Sequence, residues 1–191
     1  MHKSHGFTLI ELMVVVAIAA ILSAVAAPSL KRLIQSTTMS SNVNTFLADM
    51  RYARSESIRR GGGVVMCRSD DPEAASPICG SGSGPNGNGW VSGWIIFHDL
   101  DNNGQKSAAE TLLRVQSPIT SINTIVEGGK GSSSTKFQFT ATGRFYNLNS
   151  ATKLTFGSPD LFEGSVQRTV CVSLSGRTRI AGDGFADCPK E

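Results

Sequence analysis

The stretch FTLIELMVVVAIAAILSAVAAP, Phe7–Pro28, decides how this chain is read. It is apolar almost throughout, and Glu11 is its only charge. A helix needs about 20 such residues to cross the hydrocarbon core of a bilayer. The run extends to Leu30, and nothing comparable recurs in the 191 residues. One membrane-spanning segment followed by one polar domain is therefore expected. Lys3 precedes the run, and Lys31 and Arg32 follow it, so charge counting does not orient the span.

The residues ahead of the run are MHKSHG. A secretory signal has its small-residue cleavage site after a short apolar core. Here the apolar run is long, and Gly6 lies before it. A cut after Gly6 would leave the whole apolar helix on the mature chain. An ionised carboxylate inside such a helix is costly and marks function, which singles out Glu11.

GFTLIELMVVVAIAAIL closely resembles the class III signal of type IV pilins and pseudopilins: Gly, Phe, Thr, then Glu at the fifth position after the cut. The resemblance implies that a prepilin peptidase cuts between Gly6 and Phe7 and methylates the new amine of Phe7. It also implies that Glu11 serves assembly. In a filament of packed helices Glu11 could pair with the amine of a neighbouring Phe7, neutralising both charges and setting the stagger between subunits.

Beyond the span, Pro28 is expected to bend the helix, because it lacks an N–H and clashes with the preceding turn. Val43, Phe46, Leu47 and Met50 then repeat at i, i+3, i+4, i+7, with Leu30, Leu33, Ile34 and Ile58 extending the stripe. The spacing predicts one helix from about Thr8 to Arg60, stopped by Gly61–Gly63. The pattern then becomes β-like. Short strands are expected at Val64–Cys67, Gly93–Asp99, Thr111–Gln116, Thr120–Val126, Lys136–Thr140, Lys153–Phe156 and Thr169–Leu174. The fold class is α+β: a long N-terminal helix packed against antiparallel sheet. The expected divisions are a leader over 1–6, a transmembrane and filament-core helix over 7–30, its amphipathic continuation over 31–60, and a β-rich globular domain over 64–191.

All four cysteines follow the span. An even number in a small exported domain suggests disulfides, and four allow three pairings. The local pairing, Cys67–Cys79 with Cys171–Cys188, closes short loops and is the expected one. Zinc is not expected, since there is no Cys-x-x-Cys and no nearby histidine pair.

The long helix followed by GWIIFHDLDNNG and a strand resembles the FimT/FimU/GspH group of minor pilins and minor pseudopilins. The sharpest local feature near the C-terminus is SGRTRIAG. Arg177 and Arg179 are two apart, so on an extended chain they point to one side, about 6–7 Å apart. Paired guanidiniums suit phosphate, which arginine binds bidentately. Gly176, Arg177, Thr178 and Arg179 also match the GRxR motif of DNA-binding FimT-type minor pilins, which implies capture of double-stranded DNA for natural transformation. Against this stands a solvated arginine pair on a hairpin edge, where charge discourages edge-to-edge pairing. Arg144, Lys136, Lys153 and Arg168 are further candidates that the sequence does not position. The net charge of +3 implies weak, salt-sensitive binding that is indifferent to sequence.

Asp99, Asp101, Asn103, Gly104 and Glu110 satisfy the spacing of a calcium loop. Strand-like flanks in place of helices favour a hairpin loop, and no metal is expected. His98 reads as structural, and Trp90 and Trp94 as core. Gly80–Gly89 lacks the lysine of a phosphate loop. No acid/base pair, nucleophile or cofactor site stands out, so no enzyme is expected.

The expected function is that of a DNA-binding minor pilin acting in transformation. The alternatives are a structural minor pilin that initiates or caps filaments and a GspH-type pseudopilin of a type II secretion system. Expected partners are other pilins, prepilin peptidase, double-stranded DNA and the inner membrane before assembly. The expected location is the inner membrane with the C-terminal domain periplasmic, then the pilus.

Overall fold

The computed structural model describes residues 7–128, 136–146, 148, 151–157, 166–183 and 188. Gly6 and the rest of the leader lie outside them. Helix α1 spans Leu9–Arg60 and continues through Pro28. Among the described residues eight strands follow: β1 (Val64–Arg68), β2 (Trp94–His98), β3 (Thr111–Gln116), β4 (Thr124–Gly128), β5 (Lys136–Phe139), β6 (Thr152–Gly157), β7 (Arg168–Val172) and β8 (Thr178–Asp183). They form two antiparallel sheets, ordered β3-β2-β1-β5 and β4-β6-β7-β8. The chain divides into two compact units, one ending at Thr37 and the other beginning at Thr38.

The first unit is the apolar part of α1. Its start is a capping box, in which Thr8 is the N-cap and Glu11 the third helical residue. The Thr8 N–H donates to Glu11 Oε2 at 2.8 Å, and the Glu11 N–H donates to Thr8 Oγ1 at 3.3 Å. Its large apolar side chains, from Leu9 through Val25, are exposed. The segment is long and apolar enough to cross a membrane.

The second unit buries the other part of α1. Met39, Val43, Phe46, Leu47, Met50 and Ala53 enter one core with residues of both sheets. Phe46 is its hub: its ring meets Trp90, Trp94, Phe137 and Phe156 edge-on, with centroids 5.3–6.5 Å apart. Such edge-to-face contacts each add about 0.5–1.5 kcal/mol beyond burial. The apolar stripe is shorter than its spacing suggested. Leu30, Leu33, Ile34 and Ile58 carry the period but are all more than half exposed.

Strand β1 is buried on both faces. Val64 and Met66 face the main core, while Val65 and Cys67 join Ile95 and Phe97 in a second cluster packed against Cys79. Cys67 is bonded to Cys79, and Cys171 to Cys188. Two strand expectations need correction. The strand expected over Thr120–Val126 begins at Thr124, because Ile119 and Ile122 are buried from a loop. Strand β8 was not anticipated, since TRIAGD lacks the apolar alternation of a half-buried strand.

Candidate nucleic-acid interface

Residues 173–177 join β7 to β8. The Gly176 N–H donates to the Ser173 carbonyl at 3.0 Å, and the Ser173 N–H to the Arg177 carbonyl at 2.9 Å. A tight turn followed by a residue in the left-handed region is a common short hairpin connection. Gly176 fills that position with φ 77°. A Cβ there would lie 1.9 Å from the Gly143 carbonyl oxygen, so no other residue fits without backbone movement. Gly176 is buried, and its place in the motif is explained by the turn it closes.

Arg177 and Arg179 are both exposed. In the sheet, Cys171 lies between Lys153 on β6 and Arg179 on β8. Directly paired residues share a face, so these three form a cross-strand row. Val170 and Val172 point the other way, into the core. The Cys171–Cys188 disulfide thus sits on the arginine-bearing face.

Helix α1 forms the opposite wall. Arg54 donates to the Gly176 carbonyl at 3.4 Å and so reaches the turn itself. Arg51 lies three residues earlier, on the same helix face. Arg51, Arg54, Arg177 and Arg179 line one groove of about 340 Å³, together with Ser173, Thr178 and Cys188. None of its described lining residues is a carboxylate. Arg51 and Arg54 were missed as site residues in the sequence. Their i, i+3 spacing off the apolar stripe was visible, but not the strand end they would face.

The further candidates separate. Arg144 is exposed, and its Cα lies 3.6 Å from where a Gly176 side chain would begin. Arg144 and Lys153 thus belong to the neighbourhood of the motif. Arg168 donates to the Val166 and Gln167 carbonyls at 3.1 and 3.0 Å. Lys136 lies on the other sheet, with Nζ 3.0 Å from the Gly104 carbonyl. Neither lines the groove.

The loop between β2 and β3 gathers the opposite charge. One carboxylate oxygen each from Asp99, Asp101 and Glu110 lies within 4.8 Å of the others, with Asp99 and Glu110 buried and Asp101 exposed. Burial pushes the Asp99 carboxyl up, and the nearby Asp101 and Glu110 add to this against the Gly104 N–H. Burial also raises Glu110, but the N–H groups of Ser107 and Leu100 outweigh it and hold its carboxyl low.

Comparison with known proteins bears on the whole assembly of features. The family described as Type II transport protein GspH matches residues 42–176, well over half of the chain. The chain belongs to the GspH family. The prokaryotic N-terminal methylation motif matches residues 1–27. The fold is similar to that of the type IV minor pilin FimU of Pseudomonas aeruginosa, at 19% identity and a TM-score of 0.51, over 74% of this chain and 87% of that one. A second crystal form of FimU aligns with a TM-score of 0.48 at 19% identity, over 74% and 90%. Comparison with curated proteins returned no match. This GspH-family chain thus carries a prokaryotic N-terminal methylation motif ahead of a domain whose fold is similar to that of a minor pilin. The GspH match ends at Gly176, so Arg177 and Arg179 lie just beyond it.

Proposed function

We propose that this protein is a minor pilin of the FimT type that captures extracellular double-stranded DNA for uptake in natural transformation. One observation carries the proposal: four arginines from two elements converge on a groove with no carboxylate among its described lining residues. Arg177 and Arg179 reach solvent and meet phosphates, while Arg54 holds the turn that carries them. Phosphate contacts fix position without reading sequence, so binding is sequence-indifferent. With a net charge of only +3, each subunit binds weakly, and several neighbouring copies hold a duplex together.

Delivery of the groove to the cell exterior rests on the N-terminal segment. Prepilin peptidase cuts between Gly6 and Phe7 and methylates the Phe7 amine. The helix leaves the membrane for the filament core, with the C-terminal domain periplasmic beforehand. In the filament Glu11 exchanges its capping partner Thr8 for the amine of a neighbouring Phe7.

The test is a transformation assay on cells carrying Arg177→Ala with Arg179→Ala, with pili counted in parallel. Loss of uptake with piliation intact supports DNA capture. Unchanged uptake overturns it. The description of the matched family as a type II transport protein favours a second reading, a pseudopilin of a type II secretion system. In that case deleting the gene abolishes protein secretion and leaves transformation unchanged.

A further inference from the structure

The acidic loop at residues 99–110 has a property that a hairpin connection does not need. Asp99 is 2% exposed. Its Oδ2 accepts the Gly104 N–H at 2.8 Å, but its buried Oδ1 has no hydrogen-bond partner. An unmet carboxylate oxygen away from water is expensive, and a bound cation is one way to satisfy it. The Asp99 carboxylate belongs to the cluster it forms with Asp101 and Glu110, whose oxygens lie within 4.8 Å of one another.

We propose that the Asp99–Glu110 loop binds one calcium ion through the carboxylates of Asp99, Asp101 and Glu110. All the donors are oxygens, which suits a hard cation. Counting Asp99 as the first position, Asp101 is third, Asn103 fifth, Gly104 sixth and Glu110 twelfth. That is the order of oxygen ligands, with the turn glycine, in a twelve-residue calcium loop. Gly104 takes φ 73° at the sixth position. The flanks are the strands β2 and β3 rather than helices, as the sequence suggested. The ligands of such a loop, however, all come from the loop itself. Glu110 is anchored before any ion arrives: its two oxygens accept the Leu100 and Ser107 N–H groups at 3.0 and 2.7 Å. The exposed Asp101 places the affinity in the weak range of about 0.1–1 mM.

The experiment uses the full chain in detergent micelles, with calcium chloride as the probe and magnesium chloride as the comparison. Saturable calcium binding at one site, by calorimetry, should accompany a rise in the thermal unfolding midpoint. Asp101→Asn and Glu110→Gln should each weaken binding about tenfold or more. Because Asp101 is exposed, its variant keeps the fold intact and decides the matter even if Glu110→Gln fails to fold. Magnesium should give a smaller shift than calcium. Absence of heat and of any midpoint shift at about 10 mM calcium, well above the weak range, overturns the proposal. So does binding that is unchanged in Asp101→Asn.

Discussion

Two turns of one domain handle charge in opposite ways. At residues 173–177 a glycine closes a hairpin and leaves two arginines in solvent. At residues 99–110 a glycine bends a longer loop that buries two of its three clustered carboxylates, Asp99 and Glu110. Both glycines sit at nearly the same angle, φ 77° for Gly176 and 73° for Gly104. The difference lies in what surrounds them. Gly176 is held between a strand end, the Gly143 backbone and Arg54, so the turn is a rigid mount. Gly104 faces the tips of Lys136 and Gln138. A rigid mount suits charges that must meet a large external partner, and an adaptable loop suits enclosure of something small.

The largest expected effect breaks the first turn. In Gly176→Ala the new Cβ meets the Gly143 carbonyl oxygen at 1.9 Å. Strained backbone plus that collision should cost about 3 kcal/mol or more, seen as a clear drop in the unfolding midpoint. DNA binding should fall too, although no arginine is removed. Gly104→Ala sharpens the contrast. Its Cβ meets Gln138 Nε2 at 2.4 Å and Lys136 Nζ at 2.5 Å, both at the ends of flexible side chains. Only the angle is then strained, at a cost of about 1–2 kcal/mol. If both variants lose the same stability, the rigid-mount account of Gly176 is wrong.

A smaller effect concerns charge that serves only the fold. Glu56, near the end of α1, is bonded to Arg59 at 2.6 Å and to Arg60 at 2.8 Å. Hydrogen bonds from Arg59 and Arg60 pull its carboxyl down to about 2. A depressed carboxyl adds stability that is fully present above its unfolded pKa and is lost as pH falls through the folded one. The contribution should therefore persist at neutral pH and fade between about pH 4.5 and 2. Because the pair is near the surface, Glu56→Gln should cost under about 1 kcal/mol at pH 7 and nothing measurable near pH 2. Denaturant titration at both pH values checks this.

The helix was the most legible element. Its apolar run and its period at Val43, Phe46, Leu47 and Met50 are local signals, and α1 ends at Arg60 just before the three glycines. Periodicity overreached at Leu33 and Ile58, because it reports a face and not whether anything covers that face. The arginine pair was legible as a spacing. Its groove was not, since Arg54 meets Gly176, and Arg51 lines the same groove, across more than 100 residues of chain. Strand β8 was hidden because TRIAGD holds one large apolar residue, Ile180, and its pairing is set by β7. The acidic loop was legible as a motif, whereas the orphaned Asp99 oxygen appears only once the loop is folded.

The central claim is that Arg177 and Arg179 bind phosphate. Its most direct test is the salt dependence of duplex DNA binding by the full chain in detergent, for wild type and for Arg177→Ala with Arg179→Ala. Both side chains are exposed, so the double variant should keep its stability within about 0.5 kcal/mol. Each phosphate neutralised contributes about −0.9 to the slope of log affinity against log salt. The wild type should show a slope of about −2 to −4, and the double variant a slope shallower by about 2 with much weaker binding. Equal slopes and equal affinities in the two proteins would contradict the claim.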